Sequence, residues 1–137
     1  YSLRDWGHAK DYAEMQWKIL QQKKPDDYVI ATGKQFSVKY FVEKCCKFLG
    51  IKIKWIGKDL NERAELVSFN KKKYPKLKKK MIIVRVNKKY FRPLDVKNLI
   101  GDASKARKKL GWEPVNNIDK LINEMMKSDE KEVLKNI

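Results

Sequence analysis

Arg4 and Arg92 have the side chains and the neighbours best suited to bind an anion. Arg4 lies in the string SLRDWGHA (residues 2–9) and Arg92 in the string YFRPLDV (residues 90–96). Only five of the 33 basic residues are arginine, so lysine is the ordinary cation of this chain. A guanidinium group is a permanent cation, and its planar fork of donors matches paired phosphate or carboxylate oxygens. The alternative interpretation is structural, with each arginine pairing with a carboxylate of its own protein.

The two arginines and their neighbours could together hold a nucleoside diphosphate. Arg4 lies at the end of a strand predicted from the extended residues 2–5, and Arg92 precedes a proline turn with an acid, Asp95, three residues later. The guanidinium groups would take diphosphate oxygens, and the carboxylate would accept hydrogen bonds from ribose hydroxyls. Tyr90 could donate its hydroxyl or stack its ring. The spacing therefore predicts a diphosphate-and-ribose clamp, formed by Arg4, Tyr90, Arg92 and Asp95.

No residue combination in the sequence indicates a catalytic or metal centre. His8 is the only histidine. Cys45 and Cys46 are adjacent, which suits neither a routine disulfide nor a metal pair, so we expect reduced cysteines. Tyr40 and Lys44 match the spacing of the short-chain dehydrogenase pair, but no glycine-rich dinucleotide turn precedes them, and we interpret them as surface residues. We therefore predict no catalytic residue, no metal ligand and no cofactor-binding residue in this chain.

The net charge of +16 raises the alternative of a basic module that binds nucleic acid. The densest stretch is NKKKYPKLKKK (residues 70–80), which contains seven lysines. Against this alternative, the charges run along the whole sequence, arginine is scarce, and no zinc-finger or RNA-recognition motif is present. We expect residues 70–80 to form an exposed loop without an assigned function. No run of about 18 apolar residues occurs, and we expect neither a nucleic-acid partner nor a membrane partner.

The elements that must position these residues are four helices and several short strands, a mixed α/β pattern. Apolar residues recur at helical spacing from Ala9 to before Pro25, with Tyr12, Ala13, Ile19 and Leu20 on one face. A second helix is predicted after an N-cap at Ser37, with a stop at Gly50. A third is predicted from Ala103 to Leu110, capped by Asp102 and closed by Gly111, and a fourth from about Asn117, with a charged tail from Ser128 that frays. Strands are predicted at residues 28–31, 51–55, 66–69 and 81–84, and Tyr90–Pro93 is placed at the end of an extended run.

The order of several strings along the chain resembles the GDP-mannose 4,6-dehydratase family of the extended short-chain dehydrogenases/reductases, the NAD-dependent epimerase/dehydratase group. These strings are SLRDWGHAKDY (2–12), DYVIATG (27–33), FVE (41–43), YFRP (90–93) and GDASKARKKLGWEP (101–114). The RD pair at residues 4–5, the RPxD string at residues 92–95 and the KAxxxLGW helix are shared by the wider group. The WGHAKD and YVIATG strings point to this family in particular.

The resemblance implies an NADP-dependent lyase that converts GDP-mannose to GDP-4-keto-6-deoxymannose, in GDP-fucose and related deoxyhexose biosynthesis. It implies that residues 1–34 are the last helix and strand of a Rossmann-type NADP domain, and that residues 35–137 form a small α/β substrate-binding lobe. By the same analogy, Arg4 and Arg92 bind the GDP diphosphate, Tyr90 supports it, and Asp95 holds the ribose. The family commonly has glutamate where Asp95 stands, so the reach is one methylene shorter.

The resemblance also implies that the family's glycine-rich NADP turn and catalytic group lie before Tyr1. We therefore expect this chain to be part of a longer, cytoplasmic enzyme that forms a homo-oligomer at full length. NADP would be bound by that preceding part, GDP-mannose is the expected partner, and the 137-residue chain alone is expected to be inactive.

Overall fold

The computed structural model describes residues 1–90, 92 and 94–135 as a mixed α/β protein, which confirms the expected fold class. The chain divides into two compact units. The first comprises Tyr1–Phe41 and Val96–Ile137, and the second comprises Val42–Asp95. The assignment of residues 1–34 and 35–137 to two domains of a longer enzyme stays a prediction.

The first unit contains a small sheet and most of the helices. Its elements are β1 (Leu3–Asp5), α1 (Ala9–Leu20), β2 (Gln35–Ser37), the beginning of α2 (Val38–Phe48), α3 (Ser104–Leu110) and α4 (Ile118–Lys135). β1 and β2 are antiparallel, with Arg4 opposite Phe36. On its other edge, Leu3 forms a parallel bridge with Asn98. β1 therefore lies between two backbone neighbours, and it carries Arg4 in its centre.

The core of the first unit lies around Met15, which is completely buried in the middle of α1. The other fully buried members of this cluster are Ala31, Ala103, Ala106 and Trp112. The predicted helix is confirmed, but two of the four apolar residues whose spacing predicted it, Ala13 and Leu20, are exposed, Leu20 to 80%. Residues four apart share a helix face, and the buried face of α1 follows Asp11, Met15 and Ile19.

The strand predicted at Tyr28–Ala31 is absent from the described structure, so this prediction is wrong for the chain as described. A strand needs a neighbour to complete its backbone hydrogen bonds. Here Tyr28, Ile30 and Ala31 still pack against the core of the first unit, while Val29 is 51% exposed. Residues 28–31 therefore contribute apolar side chains to the core without belonging to a sheet.

The predicted helix ends are largely confirmed. The Ser37 hydroxyl accepts a backbone N–H of the third residue of α2 at 3.0 Å, and the Asp102 carboxylate accepts the first backbone N–H of α3 at 2.9 Å. Gly50 and Gly111 follow α2 and α3 with φ of 68° and 59°, a left-handed conformation that glycine adopts without strain. α4 differs from expectation, because it continues through its charged tail to Lys135.

The second unit is built on an antiparallel sheet in the order β3 (Lys52–Ile56), β4 (Arg63–Ser68) and β5 (Ile82–Arg85). It also contains the rest of α2 and two short 3₁₀ turns, Asp59–Asn61 and Lys88–Tyr90. Ala64 and Leu66 of β4 are buried, as their alternation with polar residues predicts. Residues 70–80 connect β4 to β5, and their seven lysines are all exposed, which confirms the expected loop.

Among the described residues, no helix combines the length and the apolar character needed to cross a membrane.

Candidate functional site

Arg4 is held by backbone carbonyls. Its side chain is half-buried, and Nη1 donates hydrogen bonds to the carbonyl oxygens of Leu3 at 2.8 Å and Val96 at 2.7 Å. The Leu3 amide donates to the Lys97 carbonyl at 2.8 Å, so main chain and side chain both tie β1 to residues 96–98. The guanidinium direction is therefore determined by the fold of the first unit.

Asp5, beside Arg4, has a structural role that the sequence did not indicate. Its carboxylate accepts hydrogen bonds from the Thr32 amide at 2.9 Å, the Thr32 hydroxyl and the Gly33 amide at 2.8 Å. Gly33 has φ of 71°, so the chain turns there before entering β2. Asp5 thus holds the turn that brings β2 beside β1.

Tyr90, Arg92 and Asp95 lie in the second unit. Tyr90 ends the 3₁₀ turn that follows β5 and is 73% exposed, with the Lys89 ammonium 5.8 Å from its ring centre. The prediction that Tyr90 ends an extended run is therefore wrong, because Tyr90 lies in a 3₁₀ turn. Arg92 is exposed, and the Asp95 amide donates to the Arg92 carbonyl at 3.1 Å, which closes a tight turn. Phe91 and Pro93, whose part in ending that run was predicted, lie outside the described residues.

Three of the four predicted site residues lie within six consecutive positions of the sequence, residues 90–95. The turn from Arg92 to Asp95 places the guanidinium-bearing and carboxylate-bearing residues at its two ends, with Tyr90 just before it. Arg4 belongs to the other unit. The joint clamp of all four residues stays a prediction.

The single histidine serves the fold. His8 is 7% exposed, its Nδ1 accepts the Lys10 amide at 3.1 Å, and its Nε2 lies 3.0 Å from Oε2 of Glu124. Because Nδ1 is an acceptor, the ring proton resides on Nε2 and is donated to the carboxylate. This bond, helped by the charge of Lys10, holds the pKa of Glu124 below its usual value. His8 therefore joins the start of α1 to α4, with both ring nitrogens engaged.

A second polar network, which the sequence analysis did not predict, lies beside the core of the first unit. Asp11 is 2% exposed and accepts hydrogen bonds from the backbone and side-chain amides of Asn116. The Trp112 indole donates to the Asp11 carbonyl at 3.1 Å. The position of Asp11, one helical turn before Met15 on the apolar face, was the available signal. These hydrogen bonds attach residues 112–116 to α1 and satisfy most of the buried polar groups. Oδ1 of Asn116 is buried without a hydrogen-bond partner among the described residues.

The first unit also has an open cavity of about 430 Å³ that contains none of the four predicted site residues. Its aromatic lining comes from Trp6, Phe36 and Tyr40, and its opposite wall from residues 113–119. Both signs of charge occur around it, including Arg107 and Asp119. The mixed lining favours no single class of ligand.

The residues of this chain do not fit the phosphates of NADP. A dinucleotide site needs clustered glycines, so that backbone amides can approach the pyrophosphate at a helix N-terminus. The six glycines here are isolated in sequence. Gly33 and Gly57 lie in turns, and Gly50 and Gly111 end helices. No step of the chemistry is assigned to that cofactor in this chain.

Comparisons with known proteins agree with the resemblance seen in the sequence. The family model described as GDP-mannose 4,6 dehydratase matches residues 1–125. A GDP-mannose 4,6-dehydratase of Vibrio cholerae is 48% identical over 128 residues, which is 93% of this chain and 34% of that protein. The human GDP-mannose 4,6 dehydratase is 44% identical over 126 residues, 92% of this chain and 31% of that protein. The chain thus spans about a third of the length of the curated relatives it matches.

The fold is similar to part of a solved epimerase. The UDP-glucose 4-epimerase of Bifidobacterium longum, in complex with NAD⁺ and UDP, superposes with a TM-score of 0.61 and 20% identity. The match covers 95% of this chain and 30% of the epimerase. At 20% identity this match supports the α/β fold alone. The higher sequence identities, 48% and 44%, are to GDP-mannose 4,6-dehydratases. The match of the family model to residues 1–125 shows that this chain belongs to the GDP-mannose 4,6-dehydratase family.

Proposed function

We propose that this chain is the part of a GDP-mannose 4,6-dehydratase that binds the GDP portion of the substrate. The observation that carries the proposal is the family match over residues 1–125, which contains all four residues of the predicted clamp.

The contacts of Arg4 support a role in binding phosphate. Its Nη1 is used by two carbonyl oxygens, which fixes the plane of the guanidinium group. A donor group that is already oriented loses less conformational entropy when an anion binds. We therefore assign to Arg4 the role of a positioned cation for the diphosphate.

The turn from Arg92 to Asp95 supports the second half of the clamp. Arg92 is exposed and is followed, within one tight turn, by a carboxylate. The guanidinium group would add a second cation at the diphosphate, and Asp95 would accept hydrogen bonds from ribose hydroxyls. Tyr90, 73% exposed beside this turn, would support the diphosphate with its hydroxyl.

In this proposal the complete enzyme converts GDP-mannose to GDP-4-keto-6-deoxymannose, and the residues described here hold the substrate. NADP, which exchanges hydride with the sugar when bound, is assigned to the part that corresponds to the other two thirds of the relatives, as are the catalytic residues. The 137-residue chain alone is therefore proposed to be inactive. By the family resemblance, the complete enzyme is proposed to be a cytoplasmic homo-oligomer.

Titration of the chain with GDP and with UDP tests the proposal. Calorimetry should show tighter binding of GDP. Arg92→Ala should weaken GDP binding by about 1.5–3 kcal/mol, the contribution of a hydrogen bond to a charged group. Lys127→Ala, an exposed cation on α4, serves as the matched control. Equal affinity for the two nucleotides, or unchanged GDP binding by the Arg92 variant, would contradict the proposal.

A further inference from the structure

The two units of the chain differ strongly in net charge. The second unit, Val42–Asp95, contains 17 basic and five acidic residues, a net charge of +12 on 54 residues. The first unit contains 16 basic and 12 acidic residues, a net charge of +4 on 83 residues. A general preference for lysine codons would raise the charge of both units alike. It does not account for three quarters of the net charge in the smaller unit.

Much of this charge lies on the loop of residues 70–80, which we call the basic hairpin. It has seven lysines and no acidic residue. Within the part of the chain that the structure describes, no hydrogen bond or ion pair engages the ammonium groups of Lys72, Lys76, Lys78 and Lys79. All four side chains are exposed. Repulsion between such close cations disfavours the folded loop and is relieved by an anionic partner.

The basic hairpin has an ordered backbone. The Asn70 side chain accepts the amides of Lys72 and Lys73 at 3.0 and 3.1 Å, and the Lys71 ammonium donates to the carbonyls of Pro75 and Leu77. An ordered turn therefore carries Lys72, Lys76, Lys78 and Lys79. Less conformational entropy is lost when such a preformed loop binds a partner.

The side chains of the basic hairpin favour a phosphate backbone over a bilayer. Its two larger apolar residues, Tyr74 and Leu77, are half-buried, and the Tyr74 hydroxyl donates to the Leu49 carbonyl at 3.4 Å. Stable peripheral membrane binding combines attraction to anionic lipids with the entry of apolar side chains into the lipid, and half-buried side chains contribute little to the second. Lysine ammonium groups without exposed aromatic rings or arginine forks contact phosphates and read no bases.

We propose that the basic hairpin binds the phosphate backbone of nucleic acid, without sequence preference and independently of the nucleotide-sugar site. This inference goes against the expectation, drawn from the sequence, of no nucleic-acid partner. The lysines that carry it are Lys72, Lys76, Lys78 and Lys79.

The test compares two variants of equal net charge. In one, Lys72, Lys76, Lys78 and Lys79 are replaced by glutamine. In the other, four exposed lysines of the first unit are replaced by glutamine, namely Lys23, Lys24, Lys127 and Lys131. Fluorescence anisotropy measures the binding of labelled oligouridylate, about 20 nucleotides long, across a range of salt concentrations. Each phosphate contact to a single strand contributes about 0.7 to the slope of log affinity against log salt concentration.

The hairpin variant should lose about 2.8 from that slope, since four contacts are removed. The ratio of wild-type to variant affinity should therefore grow about 50-fold as salt falls from about 200 to about 50 mM. The first-unit variant should keep nearly the wild-type slope. An equal loss in both variants, an unchanged slope in the hairpin variant, or binding to anionic phosphatidylserine vesicles in preference to RNA would overturn the proposal.

A measurement on the wild-type chain removes any dependence on the folding of the variants. Acetylation with an N-hydroxysuccinimide ester, read by mass spectrometry, should show the four hairpin lysines protected by oligouridylate. Lys127 and Lys131 should stay reactive. Equal protection of both groups would refute a hairpin site.

Discussion

Replacing Arg4 by lysine separates its structural contacts from its proposed contact with substrate. The substitution keeps the positive charge but removes the planar fork of donors. In the structure, Nη1 donates to the carbonyl oxygens of Leu3 and Val96. The Leu3 contact is local, whereas the Val96 contact joins parts of the chain 92 positions apart.

The expected loss of stability is about 1–2 kcal/mol. A hydrogen bond from a charged donor contributes about 1.5–3 kcal/mol, and the half-burial of Arg4 places this one toward the lower end. The backbone bond from Leu3 to Lys97 persists, so β1 keeps part of its attachment. Urea unfolding followed by tryptophan fluorescence measures the change, with an unchanged slope indicating that the same surface unfolds.

Arg92→Lys is the matched control, because Arg92 is exposed on a turn. Its stability should stay within about 0.5 kcal/mol of wild type, while both lysine variants bind GDP more weakly. If the Arg4 variant were as stable as wild type, the contact with Val96 would not hold β1. If it were destabilised but bound GDP with wild-type affinity, Arg4 would be structural only.

Two further substitutions examine packing and ion pairing in the first unit. Hydrogen bonds from Lys105 and Lys109 hold the pKa of Asp26 far below its usual value. The stability that these bonds add is fully present above the pKa of Asp26 in the unfolded chain, about 3.9. Asp26→Asn should therefore lower the melting temperature at neutral pH. The difference in melting temperature between wild type and variant should shrink as pH falls below about 4. Gly101→Ala should destabilise the protein by about 1–3 kcal/mol, because the added Cβ would meet the Ala31 Cβ at 2.3 Å. Urea unfolding measures this loss. The double variant Gly101→Ala with Ala31→Gly should recover most of it.

Each of these has a matched control. Asp27→Asn changes the exposed neighbour of Asp26 and should give no comparable dependence on pH. A difference between wild type and Asp26→Asn that grew on acidification would contradict the ion-pair assignment. Gly7→Ala crowds the ring of Tyr12 instead, so Ala31→Gly should not rescue it. Rescue of both glycine variants would show that Ala31→Gly acts by general relaxation of the core.

The local elements of this protein were predictable because their signals lie within a few residues. Ser37 provides the side-chain acceptor that begins α2, and Gly50 and Gly111 adopt the positive φ that ends a helix. β3 alternates exposed lysines with half-buried Ile53 and Trp55, and β4 buries Ala64 and Leu66 between less buried residues. A sheet with one covered face requires this alternation. The proposed arginines were also visible locally, since their residue type and neighbours are unusual in a lysine-rich chain.

Other features depended on partners distant in sequence, and only the tertiary structure decided them. The apolar run Tyr28–Ala31 has the composition of a strand but no neighbour to pair with, since a sheet needs hydrogen bonds from another segment. Asp11 gave no local sign that its buried carboxylate would meet Asn116, 105 positions away. The boundaries of the two units were likewise decided by which residues fold together, since Tyr1–Phe41 packs with Val96–Ile137 across the continuous segment Val42–Asp95.

The sequence by itself determined the helices and most of their ends, three of the strands, the family and the residue types of the proposed clamp. The tertiary structure decided that Val96 orients Arg4, that Asp5 holds the turn before β2, and that His8 pairs with Glu124. The physical reason is the range of the interactions. Caps, glycine turns and alternating burial act over a few residues, whereas buried hydrogen bonds need two groups that only the folded chain brings together.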